Sequence, residues 1–290
     1  MRGIIFKGIG GFYYVQTENG LIEAKGRGIF KKDGITLAVG DDVEITILEE
    51  DETKGVIEKI YPRKNCFIRP PIANVDAFIV VFAAKSPAPN FPVIDKFLVN
   101  AEKHGIEPII CINKKDLVSE KEIDEIKSIY ESAYKVVAVS TVTEEGLDEL
   151  ASLIKDKKAA LAGPSGVGKS SILNHLHPSA NMETGEVSKK TARGKHTTRH
   201  VEIFSIEQGG MIYDTPGFTS FEMPDIELDE LKEYYPEFER VHGQCKYDNC
   251  YHLKEPECAV RKAVKAGEIH ILRYKAYLAN MEEIKNKAKY

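Results

Sequence analysis

The first part of the chain consists of short apolar runs separated by turn-forming residues. Runs rich in Ile, Val, Tyr and Phe lie near residues 3–8, 11–16, 21–26, 43–48 and 55–60. Gly, Asp and Asn stand between the runs, as at Gly10-Gly11 and Asn19-Gly20, and these residues favour the backbone conformations of tight turns. Five short strands in about 65 residues predict a small closed β-barrel of the OB type.

From about Asn74 onward, apolar strands alternate with amphipathic helices. The predicted strands cover 75–83, 108–112, 136–139, 159–162, 201–206 and 211–213, and the predicted helices cover 91–104, 119–133, 146–154 and 169–176. Strands that are apolar throughout and alternate with helices are typical of a parallel sheet covered on both faces. The last part of the chain loses this alternation and ends in a predicted helical segment over 261–289.

These patterns predict a multidomain α/β protein with three parts. We expect a barrel over 1–66, an α/β domain over 67–222 and a mostly helical domain over 223–290. The terminal helical segment carries several basic residues, among them Arg261, Lys262, Lys265, Arg273 and Lys275. Because acidic residues lie among them, we interpret them as a solvated helix face rather than as an RNA contact.

Composition and charge restrict the class of protein. The 290 residues are 42% hydrophobic and 29% charged with a net charge of -5, which excludes a disordered or low-complexity chain. No apolar stretch approaches the roughly 20 residues that span a bilayer, so we expect no membrane contact. Five cysteines predict reduced thiols in the cytoplasm rather than a disulfide scaffold. Of these, Cys66 and Cys111 are interpreted as buried thiols.

One segment has a local excess of positive charge. Between Glu183 and His200 the chain carries five basic residues against two Glu, namely Lys189, Lys190, Arg193, Lys195 and Arg199. On charge alone, a solvated loop is favoured over an RNA contact.

The segment from Gly163 to Ser170, GPSGVGKS, fits the phosphate-binding pattern G-x-x-x-x-G-K-[ST]. Phosphate oxygens must approach successive backbone N–H groups, which requires glycine where a Cβ would clash, and the following helix directs its positive end at the anion. We predict that Lys169 reaches the β- and γ-phosphates and that Ser170 ligates Mg²⁺. The predicted nucleotide contacts here are Gly163, Pro164, Ser165, Gly166, Val167, Gly168, Lys169, Ser170 and Ser171.

Two further motifs follow predicted strands. In the segment from Asp214 to Gly217, DTPG, an Asp at a strand end suits a water-mediated contact to Mg²⁺, and the Gly217 N–H suits a γ-phosphate. This motif alone is weak evidence, because D-x-x-G is a common turn.

The second motif is a predicted base-reading loop, formed by Asn113, Lys114, Lys115 and Asp116. The carboxylate of Asp116 can accept two hydrogen bonds from guanine, which adenine cannot donate, so adenine would leave buried acceptors unpaired. We expect Asn113 to brace the loop and the stem of Lys114 to cover the base. All three motifs stand at predicted strand ends, where open α/β sheets bind ligands, and together they predict a guanine-nucleotide site.

The C-terminal part contains a set of potential metal ligands. Three thiols and one imidazole lie within a short stretch, as Cys245, Cys250, His252 and Cys258. Three Cys and one His form a closed tetrahedral Zn²⁺ shell, which is the structural kind of site. We therefore predict one structural zinc ion.

The order of the motifs is unusual. In Ras-like proteins the base-reading motif follows the other two, whereas here it precedes both. Together with the barrel, the segment RGKHTT from Arg193 to Thr198 and the Cys/His cluster, this order resembles the circularly permuted, ribosome small-subunit-dependent GTPases, the RsgA family. The resemblance covers essentially the whole chain.

This resemblance implies a slow GTPase that acts late in assembly of the small ribosomal subunit and is stimulated by that subunit. It further implies rRNA contacts through the barrel, the switch region and the zinc domain, and a monomer that binds GTP or GDP with Mg²⁺.

A GTPase needs a Thr that closes on Mg²⁺ when the γ-phosphate is present. Thr197 and Thr198 are the candidates, and we favour Thr198, so the predicted magnesium ligands are Ser170, Thr198 and Asp214. Arg199 stands where some relatives carry a third Thr, which leaves open which Thr meets the ion. The basic residues around this pair are then interpreted as an rRNA contact.

Unaided hydrolysis is expected to be slow. Phe218 follows the DTPG motif at the position where Ras-like enzymes use a Gln to orient water, and Phe cannot do this by hydrogen bonding. His196 is the nearest titratable candidate for the catalytic group.

Two other classes of function remain open from the sequence. A P-loop ATPase or kinase is disfavoured by Asn113 and Asp116 through base selection. An RNA-binding module in which the nucleotide only stabilises the fold is separated from a GTPase by a turnover assay.

Overall fold

The computed structural model describes residues 1–68, 70–177, 201–214, 218 and 222–287 of the chain. The strands in these ranges are β1 (Arg2–Ile9), β2 (Phe12–Thr17), β3 (Gly20–Gly26), β4 (Asp42–Leu48), β5 (Asp51–Ile60), β6 (Cys66–Ile68), β7 (Pro71–Ala73), β8 (Ala77–Ala83), β9 (Glu107–Asn113), β10 (Lys135–Ala138), β11 (Lys158–Ala162), β12 (Glu202–Ser205) and β13 (Met211–Asp214). The helices are α1 (Gly28–Lys32), α2 (Phe91–Lys103), α3 (Glu120–Tyr130), α4 (Leu147–Leu153), α5 (Lys169–Leu176), α6 (Pro236–Glu239), α7 (Ala259–Ala266) and α8 (Ile271–Lys287).

The N-terminal strands close into a barrel. Strand β1 pairs antiparallel with both β2 and β4, β2 pairs with β3, β3 runs parallel to β5, and β5 pairs with β4. The interior is filled by alternate residues of the strands, all at most 1% exposed: Ile5, Val15, Ala24, Val43, Ile45 and Ile57. The OB-type barrel predicted from the spacing of the apolar runs is confirmed.

The second part is an α/β sheet with strand order β10-β9-β8-β11-β13-β12. Its first five strands are parallel, and β12 is antiparallel to β13. Every residue of β8 is buried. Its even-numbered side chains pack against helices α2 and α3 on one face of the sheet, and its odd-numbered side chains pack against α4 and α5 on the other. This is the two-sided cover that continuously apolar strands require.

Local signals account for where the helices of this domain begin. The hydroxyl of Ser119 accepts from the backbone N–H of Glu122, and the carboxylate of Glu122 accepts from the N–H of Ser119. This reciprocal capping satisfies two of the otherwise unpaired donors at the start of α3. At the start of α2 a single bond serves, in which the side chain of Asn90 accepts from the backbone N–H of Val93.

The strands of the barrel and of the α/β domain belong to one continuous hydrogen-bonded sheet. In the described part of the chain, eleven strands form a single sheet, because β12 pairs with β1 at Glu202 and Lys7. The side chains of these two residues form an ion pair of 2.6 Å. A short hairpin of β6 and β7, which the sequence did not predict, connects the barrel to β8.

The C-terminal part packs on α2. Its core contains Tyr235, Phe238, Tyr277 and Met281, and Val99 of α2 belongs to the same cluster. None of the helices in the described ranges combines the length and the apolar character required to cross a bilayer.

Three sequence expectations need correction. The segment predicted as helical over 261–289 is two helices, because Gly267 adopts a left-handed conformation (φ +80°) that ends α7. Arg273 does not lie on a solvated face: it is 1% exposed and pairs with Asp95 and Glu237. Cys66 is exposed rather than buried, because it starts a two-stranded hairpin at the surface, whereas Cys111 is buried as expected.

Candidate functional site

The predicted motifs meet at one edge of the α/β sheet. Strand β9 ends at Asn113, β11 ends directly before Gly163, and β13 ends at Asp214. These three strands are parallel members of one sheet, so their carboxyl ends share an edge. Strand β11 lies between β8 and β13, which brings motifs far apart in the chain to neighbouring strands.

Two glycines of the phosphate loop have no room for a side chain. Gly163 has φ +141°, and a Cβ there would lie 2.0 Å from the carbonyl oxygen of Val81. Gly168 has φ +95°, and a Cβ there would lie 2.2 Å from Nδ2 of Asn113. The loop therefore needs glycine for both conformation and space, and α5 begins directly after it at Lys169.

Lys169 lies over the phosphate loop. Its Nζ donates hydrogen bonds of 2.7 Å to the carbonyl oxygens of both Gly163 and Pro164. Burial lowers the pKa of Lys169 to about 8, because desolvation disfavours the ammonium form. A bound polyphosphate would favour the charged form again. Ser170 and Ser171 are half-buried in the first turn of α5.

The predicted base-reading loop is tied to the phosphate loop. Nδ2 of Asn113 donates to the carbonyl oxygen of Val167 at 2.8 Å. Nζ of Lys114 donates to the carbonyl oxygens of Gly166, at 3.0 Å, and of Ser86. These bonds give Asn113 the bracing position predicted for it, and Asn113 is fully buried.

The side chain of Lys115 points away from the phosphate loop. Its Nζ pairs with the carboxylates of Glu145 at 2.7 Å and Glu120 at 3.4 Å. The structure therefore brings the side chains of Asn113 and Lys114 to the phosphate loop and directs that of Lys115 to these carboxylates.

Sequence reasoning missed Ser140. Its Oγ donates to Oδ1 of Asp116 at 2.6 Å and accepts from the backbone N–H groups of Val142 and Thr143. The fully buried serine thus orients the carboxylate predicted to read the base. A signal was present, because Ser140 directly follows the strand predicted over 136–139, at the same edge of the sheet as the other motifs.

The remaining predicted residues fall partly outside the described ranges. Asp214 ends β13, half-buried, and stands opposite Glu202 in the ladder. His196, Thr197, Thr198 and Gly217 lie outside the described residues, as does the basic segment around the threonines. Phe218 is described: its ring is 1% exposed, and its carbonyl oxygen accepts from the N–H of Gly163 at 3.0 Å.

The Cys/His set in the C-terminal part forms a cluster that could hold a metal ion. The ligand atoms of Cys245, Cys250, His252 and Cys258 lie within 4.8 Å of one another. Nδ1 of His252 lies 3.7 Å from Sγ of Cys245 and 3.4 Å from Sγ of Cys258. Ligand bonds of about 2.0 Å for nitrogen and 2.3 Å for sulfur around a tetrahedral ion require separations of roughly 3.5 Å. The donor set therefore fits a four-coordinate metal.

Backbone donors already face the sulfurs of this cluster. The N–H of Ala259 donates to Sγ of Cys245 at 3.3 Å, and the N–H of His252 donates to Sγ of Cys250 at 3.4 Å. Burial lowers the pKa of His252 to about 4, which keeps the imidazole in the neutral form that ligates metals. Burial also raises the pKa of Cys250 to about 12, so a cation is needed to favour the thiolate there.

The fold and the site define the class of protein: this is a P-loop GTPase in which the motifs occur in circularly permuted order. A sequence model of the RsgA GTPase family matches residues 60–224, and one of the RsgA N-terminal domain matches residues 2–57. The chain therefore belongs to the RsgA GTPase family.

Similar proteins cover the whole chain. A protein of Alkaliphilus metalliredigens named small ribosomal subunit biogenesis GTPase RsgA is 46% identical, over 100% of this chain and 99% of its own length. A protein of the same name from Caldanaerobacter subterraneus subsp. tengcongensis is 47% identical, over 100% of this chain and 97% of its own.

Solved structures agree with this grouping. The crystal structure of YjeQ from Thermotoga maritima matches with a TM-score of 0.83 and 39% identity, covering 98% of both chains. The crystal structure of YloQ, described as a circularly permuted GTPase, matches with a TM-score of 0.81 and 39% identity, covering 99% of this chain and 95% of that one.

Proposed function

We propose that this protein hydrolyses GTP to GDP and phosphate during late maturation of the small ribosomal subunit, and that the subunit stimulates the reaction. The observation that carries the GTPase part is the meeting of the phosphate loop, Asp214 and the loop from Asn113 to Asp116 at one edge of the sheet. The ribosomal part is supported by the names of relatives that match over the full chain.

The proposed nucleotide contacts fall into two groups, one for the phosphates and one for the base. Residues 163–171 bind the phosphates, with Lys169 directed at the β- and γ-phosphates. Residues 113–116 bind guanine, and Asp116, oriented by the Ser140 hydroxyl, accepts its two hydrogen bonds. This carboxylate disfavours adenine, because adenine cannot donate these two hydrogen bonds and would leave the acceptors unpaired once the base covers them.

We assign the Mg²⁺ of the nucleotide to Ser170, Thr198 and Asp214, with Thr197 the alternative to Thr198. When bound, the ion would neutralise charge that develops on the phosphate oxygens. The N–H of Gly217 is proposed to meet the γ-phosphate.

The side chain of Phe218 packs against the rings of Phe67 and Phe78. An apolar ring cannot orient the attacking water, and we propose that His196 supplies this function when the subunit is bound. External assistance of this kind raises turnover of Ras by about 10⁵-fold, so slow intrinsic hydrolysis is compatible with the role.

We propose that the metal cluster holds one structural Zn²⁺. Cys245, Cys250, His252 and Cys258 would fill all four positions, which leaves none for a substrate. The ion would fix the loop before α7 and so give the C-terminal domain a rigid surface.

The proposed partners are the small ribosomal subunit and its rRNA, contacted through the barrel, the switch region and the zinc domain. The proposed domains are residues 1–66, 67–222 and 223–290. We further propose that the protein acts as a monomer in the cytoplasm, where these subunits are assembled.

The test is steady-state hydrolysis of GTP and of ATP, with and without purified small subunits. We expect turnover that is selective for GTP and rises strongly with subunits. Asp116→Asn should weaken GTP and favour xanthosine triphosphate, since an amide can donate to the 2-oxo group of xanthine. GTP turnover that does not change when subunits are added would refute the proposed ribosomal role. No turnover in any condition would refute the proposed GTPase activity and favour an RNA-binding module.

A further inference from the structure

The residue before Asp214 reaches out of the α/β domain. Tyr213 is fully buried, and its hydroxyl donates a 2.5 Å hydrogen bond to the carbonyl oxygen of Ala73, at the end of β7. Successive residues of a strand point to opposite faces, so the same short strand carries a carboxylate at the nucleotide edge and a phenol toward the β6–β7 hairpin.

The barrel approaches this hydroxyl closely. Gly40 lies in the barrel loop that precedes β4 and has φ +93°. A Cβ at this position would lie 2.1 Å from the Tyr213 hydroxyl and 2.2 Å from the Ala73 carbonyl oxygen. Only a glycine permits this contact. The N–H of Gly40 donates to the carbonyl oxygen of Ile5 in β1 at 2.8 Å, which fixes the glycine to the barrel.

The β6–β7 hairpin is itself bonded to the barrel. The N–H of Ala73 donates to the carbonyl oxygen of Val39 at 2.9 Å, and the N–H of Val39 donates to that of Pro71 at 3.3 Å. A displacement of Tyr213 therefore acts on β7 directly and on the barrel through two backbone hydrogen bonds.

The other end of the DTPG motif contacts the same hairpin. The ring of Phe218 meets the ring of Phe67, in β6, edge to face with centroids 5.5 Å apart, and meets Phe78 at 5.2 Å. Phe67 is also buried. The residues that flank the motif, Tyr213 and Phe218, are thus both seated on β6–β7.

We propose that the β6–β7 hairpin couples the nucleotide state to the barrel, with Tyr213 and Phe67 as the positioning residues that transmit it. A γ-phosphate that shifts Asp214 moves β7 and the loop at Gly40. By reciprocity, a partner that holds the barrel in one position favours one nucleotide state. The inference rests on the proposed function only in taking GTP and GDP as the ligands.

The direct test is amide hydrogen exchange at Val39 and Ala73, compared between the GDP form and the form with the β,γ-imido analogue of GTP. We expect exchange at these amides to differ by about fivefold or more between the two forms. In Tyr213→Phe, which removes one hydroxyl and keeps the ring, the difference should fall to near zero. Phe67→Leu should reduce it as well.

A matched control is Tyr277→Phe in the C-terminal domain. Tyr277 is also fully buried, and its hydroxyl donates to a backbone carbonyl at 2.9 Å, so its loss measures the general effect of removing such a bond. This variant should keep the wild-type difference. Equal exchange in both nucleotide forms of the wild type, or an unchanged difference in both Tyr213→Phe and Phe67→Leu, would overturn the coupling.

Subunit-stimulated hydrolysis gives a second readout. Tyr213→Phe should reduce the stimulation about fivefold or more and leave affinity for GDP within about twofold, whereas a general loss of structure would lower both. If wild-type hydrolysis ignores subunits, the proposed ribosomal role fails, and the exchange experiment still decides on the coupling. Full stimulation of the Tyr213→Phe variant by subunits would contradict the proposed coupling through the β6–β7 hairpin.

Discussion

Replacing Arg273 with Met is expected to weaken the attachment of α8 to the rest of the molecule by about 4 kcal/mol at neutral or higher pH. The guanidinium is 1% exposed and lies 2.6 Å from a carboxylate oxygen of Asp95 in α2 and 2.6 Å from one of Glu237 in α6. It also stacks over the ring of Tyr235, 4.7 Å from the centroid.

The magnitude follows from what remains after the substitution. Asp95 is fully buried and Glu237 is 1% exposed, so both carboxylates would stay away from water without their cation. Removing one partner of a buried ion pair costs about 3–5 kcal/mol. Met fills a similar volume with apolar atoms, which keeps the loss of packing small.

The pH dependence identifies charge as the cause. Burial raises the pKa of Asp95 to about 6, the charge of Glu237 adds to this, and Arg273 opposes it. A raised folded-state pKa means that the folded protein binds more protons, so stability falls as pH rises from about 4 to about 6 and is constant above. Without the guanidinium the pKa of Asp95 rises further, and the variant loses stability over a wider window.

The assay is amide exchange along α8 together with urea unfolding, at about pH 8 and about pH 5. The deficit of Arg273→Met should shrink at the lower pH, and Asp95→Asn in the same chain should restore part of it. Lys275→Met, an exposed position of the same helix, should change stability by at most about 0.5 kcal/mol. A deficit below about 1 kcal/mol, or one equal at both pH values, would refute the reasoning.

Three further predictions concern the nucleotide and metal sites. Gly168→Ala should lower affinity for fluorescent GDP by about tenfold or more, because its Cβ would meet the side chain of Asn113, the last residue of β9. Gly267→Ala, also at positive φ but with nothing within 4 Å, should leave this affinity unchanged. Cys258→Ser should lower the zinc content measured by mass spectrometry from one ion per chain, whereas Cys111→Ser should not. Removal of the zinc by a chelator should weaken subunit binding more than GTP binding. Equal loss of both would contradict separate roles for the two sites. His196→Ala should reduce subunit-stimulated turnover with GTP affinity nearly intact, and unchanged turnover would remove this histidine from the mechanism.

The parts of the fold that sequence predicted are those encoded by local pattern. The barrel strands, the alternation of strands and helices, and the GPSGVGKS loop depend on spacing within a few residues. The helix break at Gly267 is also locally encoded, as a glycine directly after an amphipathic helix, although the sequence pattern was interpreted as one continuous helical segment.

Features that depend on distant partners could not be found in this way. A basic residue among acidic ones reads as solvated, yet Arg273 is buried because α2 and α6 place Asp95 and Glu237 around it. The role of Ser140 depends on Asp116, which lies on the loop after a neighbouring strand. Pairing of β12 with β1 joins residues 195 positions apart, and no periodicity reports such a contact.

The junction of β1 and β12 also protects a sheet edge. Within the described residues, β12 would be the outer strand of the α/β sheet without the barrel, and unpaired strand edges invite pairing with other chains. The opposite edge, β10, is four residues long and carries an exposed lysine at its start, both of which discourage such pairing. A chain shortened to begin after the barrel should therefore self-associate through β12. The barrel acts as a built-in cap against aggregation of the domain that it accompanies.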